Sequence, residues 1–131
     1  MTKVAVGVIM KDGAVLLCQR KQSARYPLKW EFPGGKSKTA EQLDECLKRE
    51  LREELGVEAE IGPLYHKQQY VYPDSGSFDV SYYLVQKFSG SIRNRVFEQW
   101  HWVPVSILAT YDILEGNHEV VQMLIGEYAA R

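Results

Sequence analysis

The chain has 131 residues, 45% hydrophobic and 25% charged, which describes one soluble core, because two independent cores would each need roughly 100 residues or more. With 16 Lys and Arg against 17 Asp and Glu the formal charge is −1, excluding bulk electrostatic attraction to long nucleic acid or an anionic membrane. The N-terminal apolar run is broken by Lys11-Asp12-Gly13 before a signal or spanning segment is complete, so we expect a single domain over residues 1–131, cytoplasmic, with no membrane partner, as a monomer or homodimer.

Residues 4–10 are β-branched and apolar, Asp12-Gly13 is a hairpin signal, and residues 14–18 resume the pattern, predicting two paired strands. Cys18 and Cys46 have no second Cys or His at zinc-ligand spacing and read as small buried hydrophobes in a reducing compartment. Residues 21–29 are polar with Pro27, a loop, and Trp30-Glu31-Phe32 is a short strand stopped by Pro33-Gly34-Gly35. Thr39 with Gln42 matches a capping box, Leu43, Leu47, Leu51 and Leu55 recur every four, and Gly56 sits at a left-handed C-cap, predicting a helix over residues 39–55. Strands follow over residues 65–72 and 78–86, joined by Pro73-Asp74-Ser75-Gly76, and over residues 97–103. Val120, Val121, Leu124 and Tyr128 lie at helical spacing, predicting a C-terminal helix over residues 117–129. The sum is an α/β fold, an α/β/α sandwich with a mixed β-sheet between helices.

The first helix carries an anomaly. At about 100° per residue, with Leu43 at zero, the leucines fall at about 0°, 40°, 80° and 120°. Glu54 lands near 20°, Glu50 near 340° and Glu53 near 280°, so three carboxylates crowd the edge of the apolar stripe and Glu54 points into it. Glu41, Glu45, Lys48 and Arg52 fall opposite, where charge needs no function. A buried carboxylate demands a counter-charge. A divalent cation supplies one, and clustered oxygen ligands suit magnesium or manganese. The alternative is a salt-bridge network in which Arg49 and Arg52 satisfy the acids. Upstream, Pro33-Gly34-Gly35 either lets backbone approach a bound phosphate group or is a plain turn.

The stretch Gly35-Lys36-Ser37-Lys38-Thr39-Ala40-Glu41, then seven residues, then Arg49-Glu50-Leu51-Arg52-Glu53-Glu54-Leu55-Gly56-Val57 resembles the Nudix box at each fixed position, a coincidence expected roughly once in 10⁸ to 10⁹ starts. The strand order around it is similar to the Nudix sandwich, and Trp30-Glu31-Phe32-Pro33-Gly34-Gly35-Lys36 resembles the MutT-like branch, which hydrolyses nucleoside triphosphates to a monophosphate and pyrophosphate. The resemblance implies a Mg2+ cofactor with Mn2+ as substitute, Glu53 and Glu54 as ligands, Glu50 as a further ligand or the base that activates water, and a backbone carbonyl from Gly34. Arg49 would orient Glu50, while Gly35, Glu41 and Gly56 would support the box and Gly35 and Lys36 would meet substrate. No covalent nucleophile is implied, and His66, His101 and His118 are scattered.

In the MutT-like pattern Asn117, within Gly116-Asn117-His118, matches a residue that contacts the purine edge, and an amide offers the donor and acceptor this requires. The alternative is an N-cap. Arg20 and Phe32 match positions lining the same pocket. Glu98 stands near the place of a further metal-binding glutamate, but its setting, Phe97-Glu98-Gln99-Trp100-His101-Trp102-Val103, resembles the branch acting on dinucleoside polyphosphates and RNA 5′-pyrophosphates, where it would face solvent. Trp100 and Trp102 share a strand face, for packing or base stacking. The implied activity is nucleotide-pool sanitising in the service of DNA repair, on 8-oxo-dGTP or another purine first and CTP or dCTP second. The alternatives are a dinucleoside-polyphosphate or RNA 5′-pyrophosphate hydrolase, and a nucleotide-sensing module without turnover.

Overall fold

A computed structural model describes residues 1–74 and 76–129. Strands β1 (Thr2–Lys11) and β2 (Ala14–Gln19) form the expected hairpin, with Asp12 and Gly13 at φ 51° and 78°, as a tight two-residue turn between right-twisted strands requires. β1 pairs β2 only at Met10 and Lys11. Further back, the same strand pairs antiparallel at Val4 to Val6 with Gly34 to Lys36. Gly34 and Gly35, expected with Pro33 to stop a strand, instead form one with Lys36, after β3 (Trp30–Glu31): β4 (Gly34–Lys36). Glycine allows it, because a Cβ at Gly34 would overlap the Ala5 carbonyl oxygen and crowd the Val6 Cα.

Helix α1 (Leu43–Leu55) begins four residues later than the expected 39. Ala40 has φ +67°, the Glu41 N–H donates to the Lys38 carbonyl at 3.0 Å, and the Lys38 N–H donates to Glu41 Oε1 at 2.9 Å. This turn is incompatible with helix, so Thr39 is no N-cap; Gln42 holds that position without a side-chain cap bond. Glu41 consequently lies before the helix, not on its solvent face. At the other end Gly56 is left-handed as expected, φ 68°, with its N–H on the Arg52 carbonyl. The N–H groups of Arg93 and Arg95 reach the Leu55 and Glu54 carbonyls at 2.8 and 3.1 Å, satisfying acceptors that a helix end leaves open.

After β5 (Glu58–Glu60), the strands β6 (Leu64–Tyr72) and β7 (Gly76–Val85) pair antiparallel, and the expected turn between them includes Ser75, outside the described residues. β7 runs parallel to β1, from Thr2↔Phe78 to Ile9↔Val85, so the sheet is mixed. β5 pairs β8 (Lys87–Ser89) in a small second sheet. β9 (Gln99–Pro104) pairs β2 and starts two residues late, because the Asn94 side chain exchanges hydrogen bonds with the Phe97 backbone at 2.7 and 2.8 Å.

Alternation along the strands builds two clusters of buried residues, one on each face of the sheet, where a single core was expected. Ala5, Ile9, Leu16 and Cys18 pack on Leu47, Leu51 and Leu55 of α1. Val6, Val8, Leu17 and Tyr82 pack on Val120, Val121 and Leu124 of α2 (His118–Tyr128). Both cysteines are fully buried. The sandwich is as expected, and α2 matches its expected span to within a residue at each end. Short 3₁₀ turns at Val105–Thr110 and Glu115–Asn117 carry no periodicity that a sequence reading registers. Among the described residues, no helix is long and apolar enough to cross a membrane.

Candidate active site

The buried arc of α1 is wider than its leucines. Cys46 is fully buried beside Leu47, Leu51 and Leu55, so Glu50 and Glu54 lie within the covered face. Arg49 answers most of the resulting charge. Its Nε and Nη2 grip both Glu41 oxygens at 2.7 and 2.9 Å, its Nη1 meets Glu50 at 2.9 Å and Glu53 at 3.1 Å, and Nη2 also donates to the Lys36 carbonyl at 3.2 Å. This clamp pins the end of β4 and the turn after it to the helix and holds the Glu41 carboxyl down at about 2. Arg52 serves Glu58 instead, at 2.6 Å. Glu50 is tucked against Gly35, where a Cβ would collide with its carboxylate. The Glu53 side chain is 54% exposed against 16% for Glu50.

Glu54 is left over. Its Oε1 is buried with no hydrogen-bond partner. Burial first, then the Glu50 and Glu31 charges, push its carboxyl up to about 8, against the opposing Gly34 N–H. Among the described residues, no three His, Cys, Asp or Glu side chains converge as a metal cage, because Arg49 Nη1 draws Glu50 and Glu53 to itself. A bare carboxylate oxygen beside a second carboxylate is nonetheless the donor chemistry of a hard divalent cation, and among the described residues no Lys or Arg is ion-paired to it. The residues fit such an ion.

Glu54 faces a cleft of about 590 Å³ shared with Arg20, Glu31, Phe32, Gly34, Gly35, Lys36 and Asn117. Trp30 positions the far end. Its N–H donates to the Asp112 carbonyl at 2.9 Å and its carbonyl accepts the Leu114 N–H at 2.8 Å, which lays the chain before α2 alongside β3 and carries Asn117 in. Asn117 is 7% exposed. Its Oδ1 accepts the Phe32 N–H at 3.1 Å and its Nδ2 donates to Tyr82 at 2.9 Å. It stands at the N-cap of α2 but its side chain makes no capping bond. Arg20 is ion-paired to Glu31 at 3.1 Å, and Lys36 Nζ lies 5.9 Å from the Phe78 ring centre. Arg25 Nη1 donates across the rim to the Asp74 carbonyl at 2.8 Å.

The family model for the NUDIX domain matches residues 1–124. The chain belongs to the NUDIX family. It is 32% identical over 126 residues to an 8-oxo-dGTP diphosphatase of Haemophilus influenzae, covering 95% of this chain and 92% of that one. It is 45% identical over 62 residues to a CTP pyrophosphohydrolase of Escherichia coli, covering 47% and 46%. Among solved structures it is similar to the E. coli ORF135 protein, with a TM-score of 0.87 at 28% identity, covering 100% of this chain and 93% of that one.

Within this NUDIX domain the structure gathers Arg20, Phe32, Gly34, Gly35, Lys36, Glu54 and Asn117 on one cleft and leaves Glu98 off it. Glu98 is exposed at the start of β9, its N–H on the Gln19 carbonyl. Trp102 stacks on Phe88 at 6.4 Å, in the core under α1, so packing accounts for it. His101 bonds Tyr111 and His118 bonds the Ile113 carbonyl, both at 2.9 Å, and none of the three histidines lines the cleft. Sequence reasoning missed Glu31 and the aromatic wall of Tyr70, Tyr72, Phe78 and Tyr82. Their alternation was legible as strand; only the hairpin register, Tyr70↔Phe78, turns it toward the cleft.

Proposed function

We propose that this NUDIX domain, spanning residues 1–131, hydrolyses a purine nucleoside triphosphate to the monophosphate and pyrophosphate with Mg2+, taking 8-oxo-dGTP in preference to CTP or dCTP, in the cytoplasm and in the service of DNA repair. The unpartnered buried oxygen of Glu54 carries the reading, since a carboxylate so placed is tolerable beside a cation and costly without one. Glu54, Glu50, Glu53 and the Gly34 carbonyl would hold that ion. When bound, it neutralises phosphate charge and lowers the pKa of a water.

The chain's own residues do the rest. Arg49 orients Glu50, which can take a proton from the attacking water while the guanidinium fixes its other oxygen. Lys36, on the cleft wall, meets phosphate charge. Phe32 and the tyrosines offer faces to the base, and Asn117 an amide edge. The relatives named for 8-oxo-dGTP and CTP hydrolysis support the triphosphate as substrate.

A panel of nucleotides incubated with Mg2+, with both products of each identified by mass, tests this. Monophosphate and pyrophosphate in equal amounts, fastest from 8-oxo-dGTP, is the expected result. Release of inorganic phosphate alone, preference for dinucleoside polyphosphates, or saturable binding without turnover overturns it.

A further inference from the structure

The Asn117 amide is held from behind by a tyrosine that lies in the core. Tyr82 is fully buried, and burial keeps its hydroxyl protonated. That hydroxyl donates its hydrogen to the Gly116 carbonyl at 3.1 Å, an acceptor that Gln68 Nε2 also reaches at 2.6 Å. A phenol has one hydrogen to give. With it committed to Gly116, the oxygen meets Asn117 as an acceptor and is answered by Nδ2 at 2.9 Å. On the opposite side the Phe32 N–H calls for Oδ1. Turning the amide over would set N–H against NH₂ and oxygen against oxygen.

We propose that Tyr82 is a positioning residue for base selection: by locking the Asn117 amide one way round, it fixes the order in which a donor and an acceptor are shown to the substrate. The proposal rests on the reading of Asn117 as the base contact. An amide has two donor hydrogens and two acceptor lone pairs; the protein consumes one of each, so one of each remains. A 6-oxopurine presents an acceptor at its exocyclic position and a 6-aminopurine a donor there. A locked amide therefore matches one of the two in a given pose, whereas one free to rotate matches both.

The measurement is the ratio of kcat/KM for 8-oxo-dGTP to that for dATP, compared among wild type, Tyr82→Phe and Asn117→Ala. This ratio is independent of how much of a variant is folded. Losing one net hydrogen bond predicts that Tyr82→Phe draws the ratio toward unity by about three- to tenfold, with most of the change in KM. A Tyr82→Phe enzyme slower on both nucleotides by the same factor is acting through structure alone and overturns the proposal. If Asn117→Ala collapses the ratio and Tyr82→Phe leaves it intact, the positioning role fails and the base contact stands; if neither moves it, both fail. Should Tyr82→Phe not fold, proton exchange of the wild-type Asn117 side-chain amide decides: one hydrogen should exchange about tenfold more slowly than the other, and equal rates overturn the lock.

Discussion

Two residues of α1, Arg49 and Glu54, do opposite things with charge. Arg49 spends its five donors on Glu41, Glu50, Glu53 and the Lys36 carbonyl, a fork geometry that lysine cannot reproduce. Arg49→Lys should therefore leave the fold intact and lower kcat by about ten- to a hundredfold, with a smaller change in KM, as steady-state kinetics would read. Glu54 is the residue that the fold strands. Glu54→Gln keeps its shape and removes its charge, so turnover should fall by at least about a hundredfold while the metal-free protein melts no lower than wild type. Activity near that of wild type would remove Glu54 from the site.

Among elements, strand β4 shows how two identical residues serve different ends. A Cβ at Gly34 would meet the backbone of β1, which cannot give way, whereas one at Gly35 would meet only the movable end of the Glu50 side chain. Gly34→Ala should cost about 1–3 kcal/mol of stability, read by thermal or denaturant unfolding. Gly35→Ala should fold with less than about 1 kcal/mol of loss yet lose most activity, because Glu50 is displaced from under Arg49. The reverse pattern in the two variants would show that β4 is not packed as described. The box pattern named Gly35 and the branch motif Gly34, but only the pairing of β4 with β1 separates their roles.

At the scale of the whole molecule, stability should respond to pH in two opposite ways. The Glu41 carboxyl is held at about 2 by Arg49, below its ordinary 4.5, so the stability it contributes is present above pH 4.5 and lost as pH falls toward 2. The Glu54 carboxyl is raised to about 8, so in chelator its contribution is full below pH 4.5 and declines as pH rises toward 8. Melting temperature in chelator should thus fall between about pH 5 and 8. Mg2+ at a hundred times its dissociation constant should restore about 2.7 kcal/mol and flatten that decline. Glu54→Gln should show neither the decline nor the same metal response.

The sequence by itself determined the sandwich, the helix that bears the acids and the candidates for the ion, because hydrophobic period and box spacing are local quantities written along the chain. It misjudged what depends on distant partners: Glu41 left the helix because Arg49 and Lys38 hold it in a turn, and Gly34 to Lys36 became strand because β1 offered an edge. Tertiary structure alone decided which acid stays unanswered, since Arg49 reaches Glu50 and Glu53 but not Glu54. It also decided that a core tyrosine on β7 faces an asparagine 35 residues away. Burial and hydrogen-bond partnership are properties of the packed chain, and no window of sequence contains them.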